Sequence, residues 1–276
     1  MNEQQADLEK MLEVGILTKP DKISPSTMSN FIERRSAWYM SKVAGMSTFT
    51  TSDYLQRGKA IEAGLQCLLQ GGNEEDAMAI GLKELWDFPD GDLNESQLVK
   101  MQDHAASLGA YLQCCWTNYQ KFQFLGLKSA QAKVSLQPDF CSFELYGYVD
   151  FLWSKLWTDL KVLSQTPSKL SQGYCVQGAI YDKATGQPGV FTIVARTNPK
   201  AGPVYRYSEQ HIRKQEKSLD WWWAYVRMAA IAMEGVYDCA LSGDVDNLIK
   251  HMSFPNLESF YGENDINDAL KFWSKL

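Results

Sequence analysis

Residues 147–161 read GYVDFLWSKLWTDLK, and the fold expected of the chain follows from this stretch. Aromatic and β-branched residues on both sides of residues 154–155 predict a β-hairpin that turns there. Asp150 and Asp159 are equally far from the turn, so they oppose each other and project to one face of the sheet. Strand alternation brings Lys161 to the same face. The sequence therefore predicts two carboxylates and an ammonium side by side.

A pair of carboxylates in an apolar setting is unfavourable unless a divalent cation neutralises it. An Asp-x-Lys triplet is by itself a weak signal. However, this chain contains no other Asp/Glu-x-Lys triplet, and Asp150 precedes it at hairpin spacing. The alternative is that Asp150 and Asp159 are ordinary surface residues of a hairpin.

The elements around the hairpin predict one α+β domain, with a mostly antiparallel sheet flanked by helices. We divide residues 1–276 into an N-terminal arm, a helical part, a catalytic sheet with its helices, and a C-terminal helical extension. These parts are, in order, 1–25, 26–125, 126–235 and 236–276.

Local patterns define the elements within these parts. Apolar spacing and cap residues predict helices at about 26–39, 51–70, 73–125 with a break near 87–94, 208–234 and 244–276. A further helix is expected to open at Thr166-Pro167. Strands are expected at 129–136, 140–153, 157–163, 189–196 and 204–207.

Three further segments make the chain resemble the PD-(D/E)XK nuclease superfamily, and within it the group of phage lambda exonuclease, YqaJ and RecB nucleases. Residues 57–62, RGKAIE, resemble the RG-x-x-x-E/H helix of that group. Gln177 and Tyr181 match its Q-x-x-x-Y motif, and residues 26–39 resemble its leading helical segment. The motifs follow in the group's order from about residue 24 to 235. The resemblance implies a restriction-endonuclease-like core.

The same resemblance implies metal-assisted hydrolysis of phosphodiester bonds. Glu62, Asp150, Asp159 and the backbone carbonyl of Leu160 are expected to hold one or two Mg²⁺ or Mn²⁺ ions, hard cations that prefer oxygen ligands. Lys161 is expected to position the attacking water or to stabilise transition-state charge.

Two helices are expected to present side chains to this site. Glu62 lies at the edge of an apolar helical stripe, where it can face a cleft. Gln177 and Tyr181 are separated by one helical turn and share a face. The alternatives are a solvated Glu62 and simple packing of Gln177 and Tyr181 against the sheet.

Basic side chains that could contact DNA are concentrated around residues 34–59 and 196–217. The arginines of the leading helix are candidates for the DNA terminus, and those of the second helix for phosphate. Half of these side chains could equally be ordinary solvated surface. The candidate DNA contacts are Arg34, Arg35, Arg57, Lys59 and Arg196.

Overall composition bounds the class of protein. With 27 basic and 33 acidic side chains the net charge is −6, which argues against a nucleic-acid binder that relies on global charge. No apolar run reaches membrane-span length, and the six cysteines lack CxxC spacing, so we expect no membrane association and no iron–sulfur cluster. The cysteine usage and the polar N-terminus predict a reducing cytoplasm, that of the host if the protein is phage-encoded.

The leading hypothesis is a Mg²⁺-dependent exonuclease that degrades linear DNA from an end, 5′→3′ on duplexes, in phage-like recombination or DNA degradation. Two rivals stay open: a structure-specific or single-strand endonuclease on the same core, and a non-catalytic DNA-end or protein-binding module. A homo-oligomeric ring and a single-strand annealing partner protein are also open, as is a monomer.

Overall fold

We describe the protein from a computed structural model in which residues 18–43, 52–87, 93–198 and 202–252 are defined. The sequence predictions for 1–17 and 253–276 lie outside these residues. The described part contains six strands and eight α-helices. The strands are β1 (Lys22–Ile23), β2 (Leu127–Leu136), β3 (Glu144–Trp153), β4 (Trp157–Leu163), β5 (Gly189–Thr197) and β6 (Val204–His211). The helices are α1 (Pro25–Glu33), α2 (Arg35–Lys42), α3 (Asp53–Leu69), α4 (Glu74–Trp86), α5 (Glu95–Tyr119), α6 (Gln172–Thr185), α7 (Leu219–Ser242) and α8 (Val245–Met252).

Capping residues explain where the N-terminal helices begin. Ser24 caps α1 through a hydrogen bond from the Thr27 backbone, and proline occupies the first turn, as predicted. Asn94 and Gln97 form a reciprocal capping box that starts α5. The predicted helix over 26–39 is interrupted, however, because Arg34 leaves the helical conformation and α2 starts anew after it.

The six strands form one mixed sheet. Pairing is antiparallel for β2–β3, β3–β4 and β5–β6, and parallel for β1–β3 and β4–β5. The fold is therefore α+β, with a mixed and mostly antiparallel sheet that has helices on both faces, as expected. The strand β1 lies within the predicted N-terminal arm and was not foreseen, because two residues carry no periodicity.

Two helix predictions in the second half are wrong. The predicted helix at Thr166-Pro167 instead begins at Gln172, because the Ser171 hydroxyl caps it. The predicted helix over 208–234 is displaced, since β6 continues to His211 along β5 and Ser218 caps α7. Because α7 extends to Ser242, where Gly243 ends it in the left-handed conformation, the predicted boundary at residue 235 falls inside a helix.

The hydrophobic core has two parts, one on each face of the sheet. Helices α1, α2, α6 and α7 cover one face, which we call the α6 face. Helices α3, α4 and α5 cover the opposite face, which we call the α3 face. None of the helices in the described ranges has the length and apolar character needed to cross a bilayer.

Candidate active site

The β3–β4 hairpin has the predicted register. Phe151 pairs with Thr158 and Leu152 with Trp157, which centres the turn on residues 154–155. Pairing stops there, because the Asp150 carboxylate accepts a hydrogen bond from the Leu160 backbone N–H at 2.6 Å. A side chain thus replaces the next backbone partner, and the two strands separate. We call this point of separation the fork.

A window in the sheet lies beyond the fork. Because β2 occupies one edge of β3 along its length, β1 and β4 share the other edge, β1 at residues 144–145 and β4 at 151–152. The edge of β3 between them has no strand partner. It borders an open cleft that α1 and α6 flank and that Lys161 and Gln177 also line.

The two aspartates lie at the fork as predicted and are almost inaccessible, with Asp150 8% and Asp159 1% exposed. Burial raises the pKa of Asp150 well above its ordinary value, and the negative charges of Asp159 and Glu62 raise it further. Burial also raises the pKa of Asp159, against the opposing effect of Lys161.

Glu62 projects from α3 toward the same fork. Burial raises its pKa to about 7, with a further contribution from the Asp159 charge. The side chains of Glu62, Asp150 and Asp159, together with Lys161, form what we call the fork cluster. Three acidic groups and one ammonium give the cluster a formal charge of −2 when all are ionised.

Lys161 forms an ion pair with Asp159, and its ammonium lies over the Tyr174 ring, 5.2 Å from the centroid. Burial on its own lowers the pKa of Lys161, but the charges of Asp159 and Asp150 outweigh that effect and raise it. The two neighbouring carboxylates therefore favour the ammonium form of Lys161.

Gln177 and Tyr181 face the fork from α6, on one helical face as predicted. The Gln177 amide donates to Asp159 Oδ2 at 3.1 Å and to the Tyr181 hydroxyl at 3.0 Å. That hydroxyl donates in turn to the Tyr148 carbonyl at 2.7 Å, on the unpaired edge of β3. Gly147 permits this approach, since a Cβ there would come within 2.6 Å of the Tyr181 ring. The pair thus ties α6 to both sides of the cleft.

Leu160 contributes its backbone. Its side chain is buried on the α3 face, and its N–H is the donor that Asp150 accepts. The expected role of its carbonyl as a metal ligand stays a prediction.

Gln131 on β2 is a site residue that sequence reasoning missed. Its side-chain amide donates to the carboxylates of both Glu62 and Asp150, the latter at 3.3 Å. Its backbone is left-handed, with φ of +47°, inside a strand. No sequence signal could have found it, because glutamine in a strand predicts neither feature.

The predicted DNA contacts divide into two groups. Arg34 and Lys59 are exposed, and the positive charge of Lys59 is among those that lower the pKa of Glu62. Arg35 is half-buried, and burial lowers its pKa. None of the five residues lines the cleft, and Arg57 and Arg196 are held by other side chains.

Arg57 is 6% exposed, and its guanidinium packs against the rings of Tyr54 and Tyr111, with centroids 5.1 and 5.5 Å away. Arg196 forms a bidentate ion pair with Asp103 at 2.5 and 3.1 Å. The prediction that Arg57 contacts DNA is therefore corrected, because this side chain is buried. The prediction for Arg196 stays a prediction. Both arginines belong to a polar cluster between α3, α5 and the sheet. This arginine cluster comprises Arg57, Arg196, Asp53, Asp103 and His104.

No three His, Cys, Asp or Glu side chains converge into a ready-made metal cage within the described residues. In the fork cluster, Glu62 is held by Gln131, and Asp159 by Lys161 and Gln177. Each carboxylate of the fork cluster is thus engaged by donors of the protein itself.

Comparison with known proteins adds little. No protein-family model matches the chain, and no curated protein matches it. One solved structure, described as "Crystal structure of SSO0001", is similar over 87% of this chain and 85% of its own, with 12% sequence identity and a TM-score of 0.37. A likeness this remote identifies neither a family nor an activity.

Proposed function

We propose that the protein is a divalent-metal-dependent DNA nuclease, acting as an exonuclease on the ends of linear DNA. The observation that carries the proposal is the charge imbalance of the fork cluster, where three acidic groups face a single ammonium. Perturbed carboxylates gathered beside a cleft are typical of catalytic sites.

The residues at the fork fit a divalent metal. Carboxylate oxygens are the ligands that Mg²⁺ and Mn²⁺ prefer. A charge of 2+ offsets the formal −2 of the cluster and favours the ionised form of each carboxylate, against the raised pKa values. Asp150, Asp159, Glu62 and the Leu160 carbonyl are the groups we assign to hold it.

A cation held by these residues would supply Lewis-acid polarisation of the scissile phosphate and would lower the pKa of water at the site. The other tasks fall to side chains of this chain. Lys161 lines the cleft with a fixed positive charge and stabilises negative charge that develops on the phosphate. Gln177 keeps the Asp159 carboxylate oriented through its hydrogen bond. We expect no proton to be taken by Lys161.

A restriction-endonuclease-like core is part of this proposal. It is supported by the hairpin that carries Asp150 and Asp159, by α3 with Glu62 on one face of the sheet, and by α6 with Gln177 on the other. The order of these elements along the chain follows the motif order on which the resemblance rests.

The outer face of the β2–β3 ribbon offers a path for the DNA strand. Lys133 and Tyr148 are cross-strand partners, and both are exposed, while their neighbours Ala132 and Val149 are buried. A lysine can contact phosphate and a tyrosine ring can stack on a base. Both lie on the window side of the fork, so we place the approaching strand along this face, with Lys59 beside the site.

The cleft favours a strand end over a continuous strand. Beyond the fork its lining reaches Ser24 and Pro25, directly after β1, which closes the sheet window at that side. An end can enter such a cleft without threading. A ring-shaped homo-oligomer and an annealing partner remain predictions of the family resemblance. A cytoplasmic location remains a prediction from the cysteine usage and the polar N-terminus.

The experiment compares linear and covalently closed circular DNA in Mg²⁺, with 5′-phosphate, 5′-hydroxyl or blocked ends on the linear form. Wild type should release nucleotides from linear DNA alone, and Asp159→Ala should release none. Cleavage of circles would favour the endonuclease. Equal release by wild type and Asp159→Ala, or none with any divalent metal, would show that the chain is not a nuclease of this kind.

A further inference from the structure

Gln131 combines a left-handed backbone with a side-chain amide that donates to two carboxylates. A left-handed conformation is costly for a residue with a side chain, and such residues concentrate at functional sites. Among the described residues, Gln131 is the one non-glycine with positive φ. It faces Asp150 across the β2–β3 ladder, between the pairs Ala130–Phe151 and Ala132–Val149.

The conformation of Gln131 coincides with a break in side-chain alternation. Ala132 and Val149 belong to the core on the α6 face, whereas Ala130 and Phe151 pack on the α3 face. In a regular strand, residues two apart share a face. Both strands therefore change phase at the level of Gln131 and Asp150, which brings Asp150 within reach of groups from both faces.

At this level the Gln131 amide nitrogen donates to Glu62 from the α3 face and to Asp150 on β3. A single amide nitrogen carries two hydrogens, so it can satisfy one oxygen of each carboxylate. The nitrogen consequently lies between the two carboxylates. A cation bound to oxygens of both groups needs that same position.

Building on the proposed function, we propose that Gln131 is a positioning residue that occupies the space between Glu62 and Asp150 until a divalent cation displaces it. The amide keeps two like charges apart and hydrogen-bonded when the cation is absent. On cation binding its hydrogen bonds to the carboxylates are lost, so the wild-type side chain weakens metal affinity. Gln131 thereby sets the metal concentration at which the site becomes complete.

The test is a titration of the full-length protein with Mn²⁺, followed by calorimetry and by the electron paramagnetic resonance signal of free Mn²⁺. Gln131→Gly removes the amide and relieves the backbone strain, while Gln131→Ala removes the amide alone. Both variants should bind Mn²⁺ about tenfold more tightly than wild type, since hydrogen bonds to charged groups must no longer be broken. Gln113→Ala, on the exposed side of α5, is the matched control and should leave the affinity unchanged.

Thermal unfolding without metal shows whether the variants are folded, and the Tm of Gln131→Gly should be at least as high as that of wild type. Unchanged or weaker Mn²⁺ binding by both Gln131 variants would overturn the proposal that the cation displaces Gln131, even if wild type binds Mn²⁺ and hydrolyses DNA. Absence of Mn²⁺ binding by wild type and by both variants would overturn the proposed function together with this inference.

Discussion

The fork cluster and the arginine cluster are both groups of charged side chains packed against the same sheet, but their charges are arranged in opposite ways. In the arginine cluster, Asp103 pairs with Arg196 and Asp53 contacts His104, and the Asp103–Arg196 hydrogen bond lowers the pKa of Asp103. At the fork, burial and neighbouring carboxylates raise the pKa of Asp150. In the arginine cluster, positive and negative charges balance one another, and these side chains hold α3, α5 and the sheet together. The fork cluster lacks positive charge, which under the proposed function a divalent cation supplies.

The largest contrast should appear when one aspartate in each cluster is made neutral. Asp150→Asn removes a carboxylate assigned to hold the metal, so nucleotide release should fall by about 10³-fold. The same change removes an uncompensated buried charge, so Tm without metal at pH 8 should rise by about 3 °C.

Asp103→Asn is the matched change in the arginine cluster. Its ion pair with Arg196 is half exposed and contributes about 1 kcal/mol or less. Tm should therefore fall slightly, and nucleotide release should stay within twofold of wild type. Calorimetry measures Tm, and an acid-soluble nucleotide assay measures nucleotide release. A lower Tm for Asp150→Asn than for wild type would contradict the assignment of an uncompensated charge to Asp150.

The pH dependence of stability should have opposite signs for the two clusters. Because the pKa of Glu62 is raised from 4.5 to about 7, the folded protein retains a proton that the unfolded chain releases. The unfolding free energy without metal should fall by about 3 kcal/mol as pH rises through this interval, and Glu62→Gln should remove that fall.

Asp103 should behave in the reverse sense. Its pKa is lowered in the folded state, so its contribution to stability is present above its ordinary value of 3.8 and is lost as pH falls through the lowered pKa. Urea titrations at each pH, with Asp103→Asn as comparison, measure this. A wild-type stability that rises between pH 4.5 and 7 and is insensitive to Glu62→Gln would refute the assignment.

Two basic residues of α3 separate structural from ligand-binding roles. Arg57→Ala should cost about 2 kcal/mol of stability, because the buried guanidinium packs on two tyrosine rings. Lys59→Ala should change stability by about 0.5 kcal/mol or less, but should reduce the salt dependence of DNA binding by about one phosphate contact. Fluorescence anisotropy in Ca²⁺ at several salt concentrations tests this, and the reverse pattern would return Arg57 to the DNA surface.

The smallest effect concerns the proposed DNA path. Tyr148→Ala should weaken binding of single-stranded DNA about fivefold through loss of stacking. Phe124→Ala is a suitable control, because this ring is more exposed than Tyr148 and lies outside the cleft lining. Equal effects of the two substitutions would remove the β2–β3 face from the proposed path.

The hairpin register could be predicted because it follows from turn position alone, and Asp150, Asp159 and Lys161 lie where that register places them. The fate of Arg57 could not be predicted. Its helical position suggested a solvated face, but Tyr111 comes from α5, and contacts between helices distant in sequence leave no mark on local spacing. The left-handed backbone of Gln131 likewise depends on tertiary packing.

Nucleotide release from linear duplex DNA in Mg²⁺ by Lys161→Ala, beside Lys183→Ala as a surface control, tests the central claim most directly. Lys183 is on the same face of the sheet and pairs with Asp220 outside the cleft. Wild type and Lys183→Ala should degrade the DNA at similar rates, and Lys161→Ala should lose at least about 10²-fold while still binding DNA. Equal rates for wild type and Lys161→Ala, or no release by wild type with any divalent metal, would contradict a nuclease centred on the fork.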